Sequence, residues 1–343
     1  MSYFSSAAAF EEALSDLPGP DPTAAAGAAR RQEKLAKPAG SLGRLEDIAL
    51  FFAAWQGQEI PLWSDARMAI FAGNHGIAVH AVSAFPVSVT AAMVRNFEHG
   101  GAAINALCGA AGLELKIAAL HLDQPTADFT IAPALTASEC LEALNIGAAM
   151  VEPHLKLIAL GEMGIANSTA GAALAARSFG GNGADWVGPG SGVDDAGIAR
   201  KTQVIDQALR THGYAAKSAF ETLRRVGGWE IAAMAGAILR ARHARIPVLL
   251  DGFIGCSALA PLAVDNAAIT DHCIASHLSA EPGHKKMLDH LSLSPLLSLS
   301  MRLGEGSGAA VAANILRSAL AAHSQMATLD DVMALDVNDA LTL

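Results

Sequence analysis

An α/β protein with a doubly wound, mostly parallel sheet is what this sequence predicts, and three features carry the prediction. Short apolar runs, ARMAIFAGNHG, LELKIAALHL, LKLIALGEMG, IPVLLDGFIG and DHCIASHLSAE, recur along the chain and close in Gly, Asp or Glu. They are β-rich and nearly continuous in hydrophobicity, as strands buried on both faces should be. Helical patterns separate them, at Thr90–Cys108, Asn167–Phe179, Asp195–Leu209 and Trp229–Arg242. Strands alternating with helices give parallel pairing through crossovers.

The elements follow in order. Residues 1–33 read as helix and then loose chain, with PGPDPTAAAGAA as a hinge. SLGRLEDIALFFAAWQ is a helix with Ser41 as its N-cap, because Leu42, Leu45, Ile48, Phe52 and Trp55 recur at helical spacing. In the Thr90–Cys108 pattern the apolar positions are Val94, Phe97, Ile104 and Leu107. IPVLLDGFIGCSALAPLAV is the most membrane-like run, but Asp251, two glycines and two prolines interrupt it, so it reads as a buried strand and a loop. The alanine-rich run after Gly308 is helical. The final TLDDVMALDVNDALTL is short and amphipathic, suited to pack on the N-terminal helices.

Composition narrows the function classes. The chain has 343 residues, more than the roughly 250–300 at which one core stops growing. A large domain with a smaller lobe is expected. Hydrophobic residues make up 52% and charged residues 16%, which fits a folded, core-rich protein. The net charge of −10, with no basic stripe and few aromatics, disfavours nucleic acid as a partner. Cys108, Cys140, Cys256 and Cys273 lack metal or disulfide spacing and read as buried free thiols in a reducing compartment. The acidic N-terminus is no signal peptide, so the expected location is cytoplasmic, with no membrane partner.

In open α/β sheets ligands bind beyond the carboxyl ends of the strands. The polar residues there are Asn74, His75, Glu162, Asp251, Ser279 and Glu281. In GEMGIANSTAGAAL, Asn167, Ser168 and Thr169 open a helix, which suits either an ordinary cap or an anion. GPGSGVDDAGIARK offers Gly188, Gly190 and Gly192 before a helix that carries Lys201. That arrangement fits a phosphate cradle or a plain loop. His277, Glu281 and His284 sit in a Gly/Pro turn with no helical face to unite them, so a loop role outweighs a metal site. In RLGEGSGAA, Glu305 lies between two glycines and two apolar segments. It is either a solvated loop carboxylate or a general base at the mouth of an apolar pocket.

These stretches are not independent. KPAGSLGRLE, AGNHG, SAFPVSVTAAMV, GEMGIANSTA, GPGSGVDD with Lys201, VLLDGFI, SHLSAEPGH and MRLGEGSGAA occur in one order. Across roughly residues 30–320 the chain resembles the nicotinate-nucleotide–dimethylbenzimidazole phosphoribosyltransferase family, which assembles the lower ligand of cobalamin. The resemblance implies transfer of phosphoribose from nicotinate mononucleotide to 5,6-dimethylbenzimidazole, giving α-ribazole 5′-phosphate and nicotinate. It implies a Rossmann-like sheet of residues 61–321, a small helical lobe of residues 1–60 and 322–343, and a homodimer. By motif match Glu305 is the catalytic base and Glu162 a second pocket carboxylate. Lys201 would lie near the ribose phosphate, Gly188, Gly190, Gly192 and Ser279 would form part of the phosphate cradle, and Asn167, Ser168, Ser83, Ser88 and Leu303 would be further substrate-binding residues. A cationic leaving group needs neither metal nor cofactor, and none is expected.

Two departures bear on the acceptor. Asn74 stands where the family often has Asp, and Phe85-Pro86 leads to Val87-Ser88 where a Gln-Glu is usual. A side-chain amide toward the base is thus missing, which leaves another benzimidazole- or purine-type base as an alternative acceptor. A transferase using pyrophosphate-activated ribose would carry two acids after a strand, and VLLDGFIG has one. A non-catalytic nucleotide sensor is the remaining rival, and Glu162, Lys201 and Glu305 together argue against it.

Overall fold

A computed structural model describes residues 3–213 and 218–340. The sheet has five parallel strands in the order β2-β1-β3-β4-β5. These are β1 Ala66–Ala72, β2 Glu114–Ala119, β3 Leu157–Met163, β4 Val248–Leu250 and β5 Cys273–Ala275. Each falls inside one of the apolar runs. The chain moves from β1 outward to β2, then crosses back to β3 on the other side. Strand order therefore reverses between β1 and β3, which opens a crevice at their carboxyl ends.

Alternation along the strands builds two cores. Met68 and Ile70 of β1 face one layer, while Ala69 and Phe71 face the other. Helices Ala137–Ala149, Asn167–Phe179, Trp229–His243 and Phe253–Asp265 supply buried side chains to the core beneath Ala69 and Phe71. Helices Arg44–Gln56, Ala103–Ala111 and Ser307–Gln325 cover the opposite face. The sheet is thus wound on both sides, as the sequence predicts. The expectation of two-sided burial fails only at β2, an edge strand whose residues are all partly or fully exposed. There Glu114 pairs with the buried Arg67 at 2.8 Å.

Several boundaries differ from the sequence reading. The supposed hinge PGPDPTAAAGAA is mostly helix: Asp21 caps Pro22–Lys34 by accepting from Thr23 and Ala24 N–H. An Asp before a first-position Pro is a helix start. Ser41 is not a cap, since the helix begins at Arg44 after Gly43, and Glu46 accepts from Leu42 N–H instead. The Thr90–Cys108 pattern is two helices, Ser88–Glu98 and Ala103–Ala111, divided at Gly100 with φ of 77°. After β4, the segment read as a loop is the helix Phe253–Asp265 with Pro261 inside it. Phe253 through Leu262 are all buried, and a helix apolar all round shows no amphipathic period to reveal it. Helices Ala137–Ala149, Ala219–Val226 and Pro282–Leu291 have no counterpart in the sequence-derived pattern.

The chain ends meet. Arg31 donates to the carbonyls of His323 at 2.8 Å and Ser324 at 3.0 Å, and Leu35 bridges Thr328. Leu329–Ala340 is helical, and the last three residues of TLDDVMALDVNDALTL lie outside the described residues. Among the described residues no helix is long and apolar enough to cross a membrane. All four cysteines are buried and free, as expected.

Candidate active site

A cavity of about 400 Å³ opens beyond the carboxyl ends of β3 and β4. Val82, Phe85, Met93 and Leu303 form an apolar side. Glu162, Asp251 and Glu305 form an acidic floor, and Ser168, Gly190, Ser279 and Glu281 a polar end.

Glu305 sits in a backbone that only this local sequence permits. Gly304, Glu305 and Gly306 have φ of 82°, 63° and 82°. Left-handed backbone costs a non-glycine residue about 1–2 kcal/mol, so glycine neighbours limit the strain to one residue. Space imposes the same choice. A Cβ on Gly304 would lie 2.5 Å from Glu162 Oε1, and one on Gly161 would lie 2.7 Å from the Glu305 carbonyl oxygen. Asp251, directly after β4, holds the turn by accepting from Gly306 N–H at 3.2 Å and Ala309 N–H at 2.9 Å. That places a carboxylate at the N-terminus of the Ser307–Gln325 helix, where its charge is favoured. Glu305 N–H donates to the Glu162 carbonyl at 3.3 Å. Glu305 is 6% exposed, and its Oε2 has no hydrogen-bond partner among the described residues. The solvated-loop alternative is thereby excluded.

The three carboxyls are crowded, and their proton affinities show it. Burial pushes Glu162 up to about 8 against a hydrogen bond from Asn167 Nδ2, with Asp251, Glu230 and Glu305 adding repulsion. Burial also pushes Asp251 up to about 7, opposed by the N–H groups of Ala309, Gly308 and Gly306, and Glu305 raises it further. Glu305 is raised by burial, with Ile104 N–H pulling the other way. A carboxyl lifted toward neutrality is suited to accept a proton near pH 7. A cation entering the cavity would favour all three ionised forms.

At the polar end, the helix Asn167–Phe179 begins soon after β3, with Ala166 at φ 77° and no side-chain cap. Its positive dipole end borders the cavity, which Ala166, Asn167 and Ser168 line. Lys201, 2% exposed, stands behind this wall and donates to Ser168 Oγ at 3.0 Å and the Gly188 carbonyl at 2.9 Å. Ser279 N–H donates to His284 Nδ1 at 3.0 Å, which fixes the loop after β5.

Of the residues singled out from sequence, Glu305, Glu162, Asn167, Ser168, Gly190, Ser279, Ser83 and Leu303 line the cavity. Lys201, Gly188, Gly192 and Ser88 do not lie on its wall. Lys201 and Gly188 act one layer back through Ser168 and the Gly190 loop, while Ser88 starts a helix and Val89 reaches the cavity instead. Asn74 turns away and donates to the Leu122 carbonyl at 2.8 Å. Sequence reasoning gave no role to Asp251, Arg302 or Phe85, although the position of Asp251 at a strand end was the available signal. His284 belongs to the helix Pro282–Leu291, not to a turn. Among the described residues no group of three or more His, Cys, Asp or Glu is placed to hold a metal ion.

Fold and site define a class: a doubly wound α/β protein with a carboxylate-floored cavity beyond the carboxyl ends of its strands. A family model described as phosphoribosyltransferase matches residues 17–333. The nicotinate-nucleotide–dimethylbenzimidazole phosphoribosyltransferase of Novosphingobium aromaticivorans is 64% identical over 96% of this chain and 97% of its own. The enzyme of the same name from Ruegeria pomeroyi is 53% identical over 94% of this chain and 95% of its own. A crystal structure of CobT from Thermus thermophilus superposes with a TM-score of 0.85 at 36% identity, covering 91% of this chain and 98% of that one. The chain belongs to the nicotinate-nucleotide–dimethylbenzimidazole phosphoribosyltransferase family.

Proposed function

We propose that this protein transfers phosphoribose from nicotinate mononucleotide to 5,6-dimethylbenzimidazole, giving α-ribazole 5′-phosphate and nicotinate in assembly of the cobalamin nucleotide loop. The observation that carries the reading is the buried, strained Glu305 facing a half-apolar cavity, in a chain 64% identical to an enzyme of that name. The C–N bond between ribose and the pyridinium breaks, and its electron pair neutralises the ring, so nicotinate leaves without a proton. A benzimidazole nitrogen attacks the anomeric carbon from the opposite face, which inverts β to α. The adduct then loses its remaining N–H proton to Glu305. The transition state is oxocarbenium-like, and ionised Glu162 stabilises its positive charge. The phosphate docks at the Asn167 helix N-terminus and the Gly190 loop, which Lys201 braces from behind. The flat base lies against Phe85, Met93 and Leu303, and their apolar surface excludes competing water.

We further propose a cytoplasmic homodimer, with a helical lobe formed by residues 1–60 and 322–343. Support for a second subunit comes from the exposed large apolar side chains Val79, Phe85 and Leu303, the last two at the cavity itself. The test of the reaction is incubation with nicotinate mononucleotide and dimethylbenzimidazole, followed by chromatography. Release of nicotinate that depends on the base, with the α anomer formed, is expected. Base-independent hydrolysis or no turnover would contradict the reading.

A further inference from the structure

One ring on the cavity wall has no part in the reaction above. His277 follows β5, lines the cavity and is 3% exposed. A Cβ on Gly308 would lie 2.0 Å from its Nδ1, so glycine in the first turn of the Ser307–Gln325 helix is what admits the ring. Nδ1 lies 3.0 Å from Ser276 Oγ. The Ser276 hydroxyl donates its single proton to the Asp251 carbonyl at 2.9 Å. The bond between ring and hydroxyl therefore takes its proton from Nδ1. Burial pushes His277 below its ordinary value, against a hydrogen bond to the Asp251 backbone. The ring is thus neutral near pH 7, and its Nε2 carries a lone pair. Nε2 has no hydrogen-bond partner among the described residues, yet it is not sealed from solvent. The lone pair opens on the cavity that His277 lines.

A donor stands beside this acceptor. Ser279 Oγ accepts from Glu281 N–H at 3.3 Å, and its own proton has no acceptor among the described residues. Gly252, after β4 and Asp251, separates the two side chains. A Cβ built on it would lie 3.5 Å from His277 Cε1, 3.8 Å from His277 Nε2 and 3.6 Å from Ser279 Cβ, with nothing closer. An acceptor and a donor thus flank one gap that a glycine keeps clear. A hydroxyl is the group that satisfies both, whereas a phosphate oxygen would meet the Nε2 lone pair and be repelled. We propose that His277 reads a ribose hydroxyl of the nucleotide: Nε2 accepts a hydrogen bond from it, and Ser279 Oγ donates one to its oxygen. This rests on the reaction proposed above, and it turns Ser279 toward the sugar rather than the phosphate. The site then selects ribonucleotides over their deoxy forms, because a site built to bond a hydroxyl rejects the analogue that lacks it.

The test is calorimetric binding to the full chain of nicotinate mononucleotide, its 2′-deoxy and 3′-deoxy analogues, and nicotinate riboside, which lacks the phosphate. Wild type, His277→Phe and His277→Gln are compared. Wild type should bind the mononucleotide about tenfold more tightly than at least one deoxy analogue, the worth of one hydrogen bond. His277→Phe should lose that preference while binding the same deoxy analogue as wild type does. His277→Gln, whose amide oxygen can replace Nε2, should keep it. The riboside should lose affinity in His277→Phe as the mononucleotide does, since the contact is to sugar. A loss in His277→Phe that is equal for the mononucleotide and both deoxy analogues would overturn the proposal and leave the ring a structural role. A loss confined to ligands carrying phosphate would overturn it too. Wild type that binds the mononucleotide without preferring either hydroxyl would sink this inference alone, whereas wild type that binds no mononucleotide would sink the reaction as well. If His277→Phe does not fold, Gly252→Ala fills the same gap without a clash and is read by the same criteria.

Discussion

Three carboxyl groups sharing one buried floor give the site a measurable pH signature. The folded-state proton affinities of Glu162, about 8, and Asp251, about 7, lie above their unfolded values. A group with a raised folded pKa contributes stability that is full below the unfolded pKa and is lost as pH rises through the folded one. Buried His272 and His284, pushed down to about 3, act in the opposite sense, but only below the ordinary histidine range. Between about pH 6.5 and 9 the carboxyls dominate. The melting temperature of the ligand-free protein should fall across that window, and Glu162→Gln should flatten the slope. A flat or rising curve in wild type would contradict the crowding. Backbone strain is testable at the same scale. Gly304 has φ of 82° and faces Glu162, so Gly304→Ala should cost about 1–2 kcal/mol in urea unfolding. It should reduce turnover further by pushing Glu162 aside. Gly19, with open space around it and ordinary φ, is the matched control and should tolerate Ala.

At the scale of elements, the site is a junction of strand ends and helix starts. β3 delivers Glu162, β4 leads directly into Asp251, and the N-termini of Asn167–Phe179 and Ser307–Gln325 point at the same cavity. Asp251 fastens the second of these. Asp251→Ala should destabilise the protein by about 0.5–2 kcal/mol, the range for a lost N-terminal cap. Amide exchange at Gly306 and Ala309, whose N–H groups it accepts, should quicken before exchange elsewhere. Unchanged protection there would show that the turn stands without it. Much of this junction was legible in the sequence, because strands buried on both faces leave unbroken apolar runs and their terminating residues mark the ligand side. GEMGIANSTA gave Glu162 in this way, whereas Glu305 stood out through the glycines and apolar segments that flank it in RLGEGSGAA. The distance of Lys201 from the wall was not legible, since spacing along a helix does not reveal which layer lies in front of it. The helix Phe253–Asp265 was hidden because burial on all sides erases its period. The role of Asp251 depends on bonds to residues more than fifty positions away, which no local pattern encodes.

At the scale of the whole molecule, two cores clamp the sheet and leave a carboxylate-floored crevice beyond the ends of β3 and β4. The apolar mouth beside that crevice supports the proposed dimer. Light scattering at micromolar concentration should give twice the mass of the 35.1 kDa chain, and a monomer mass would count against it. The central claim concerns a single carboxylate that both cores, the strained turn and Asp251 combine to position. It is tested most directly by the rate of base-dependent nicotinate release in Glu305→Gln. The substitution keeps shape and packing but removes the proton acceptor. Turnover should fall by about 10²–10⁴-fold, with the loss in kcat and nicotinate mononucleotide still bound near its wild-type affinity. Near-normal turnover in a folded Glu305→Gln protein would contradict the account.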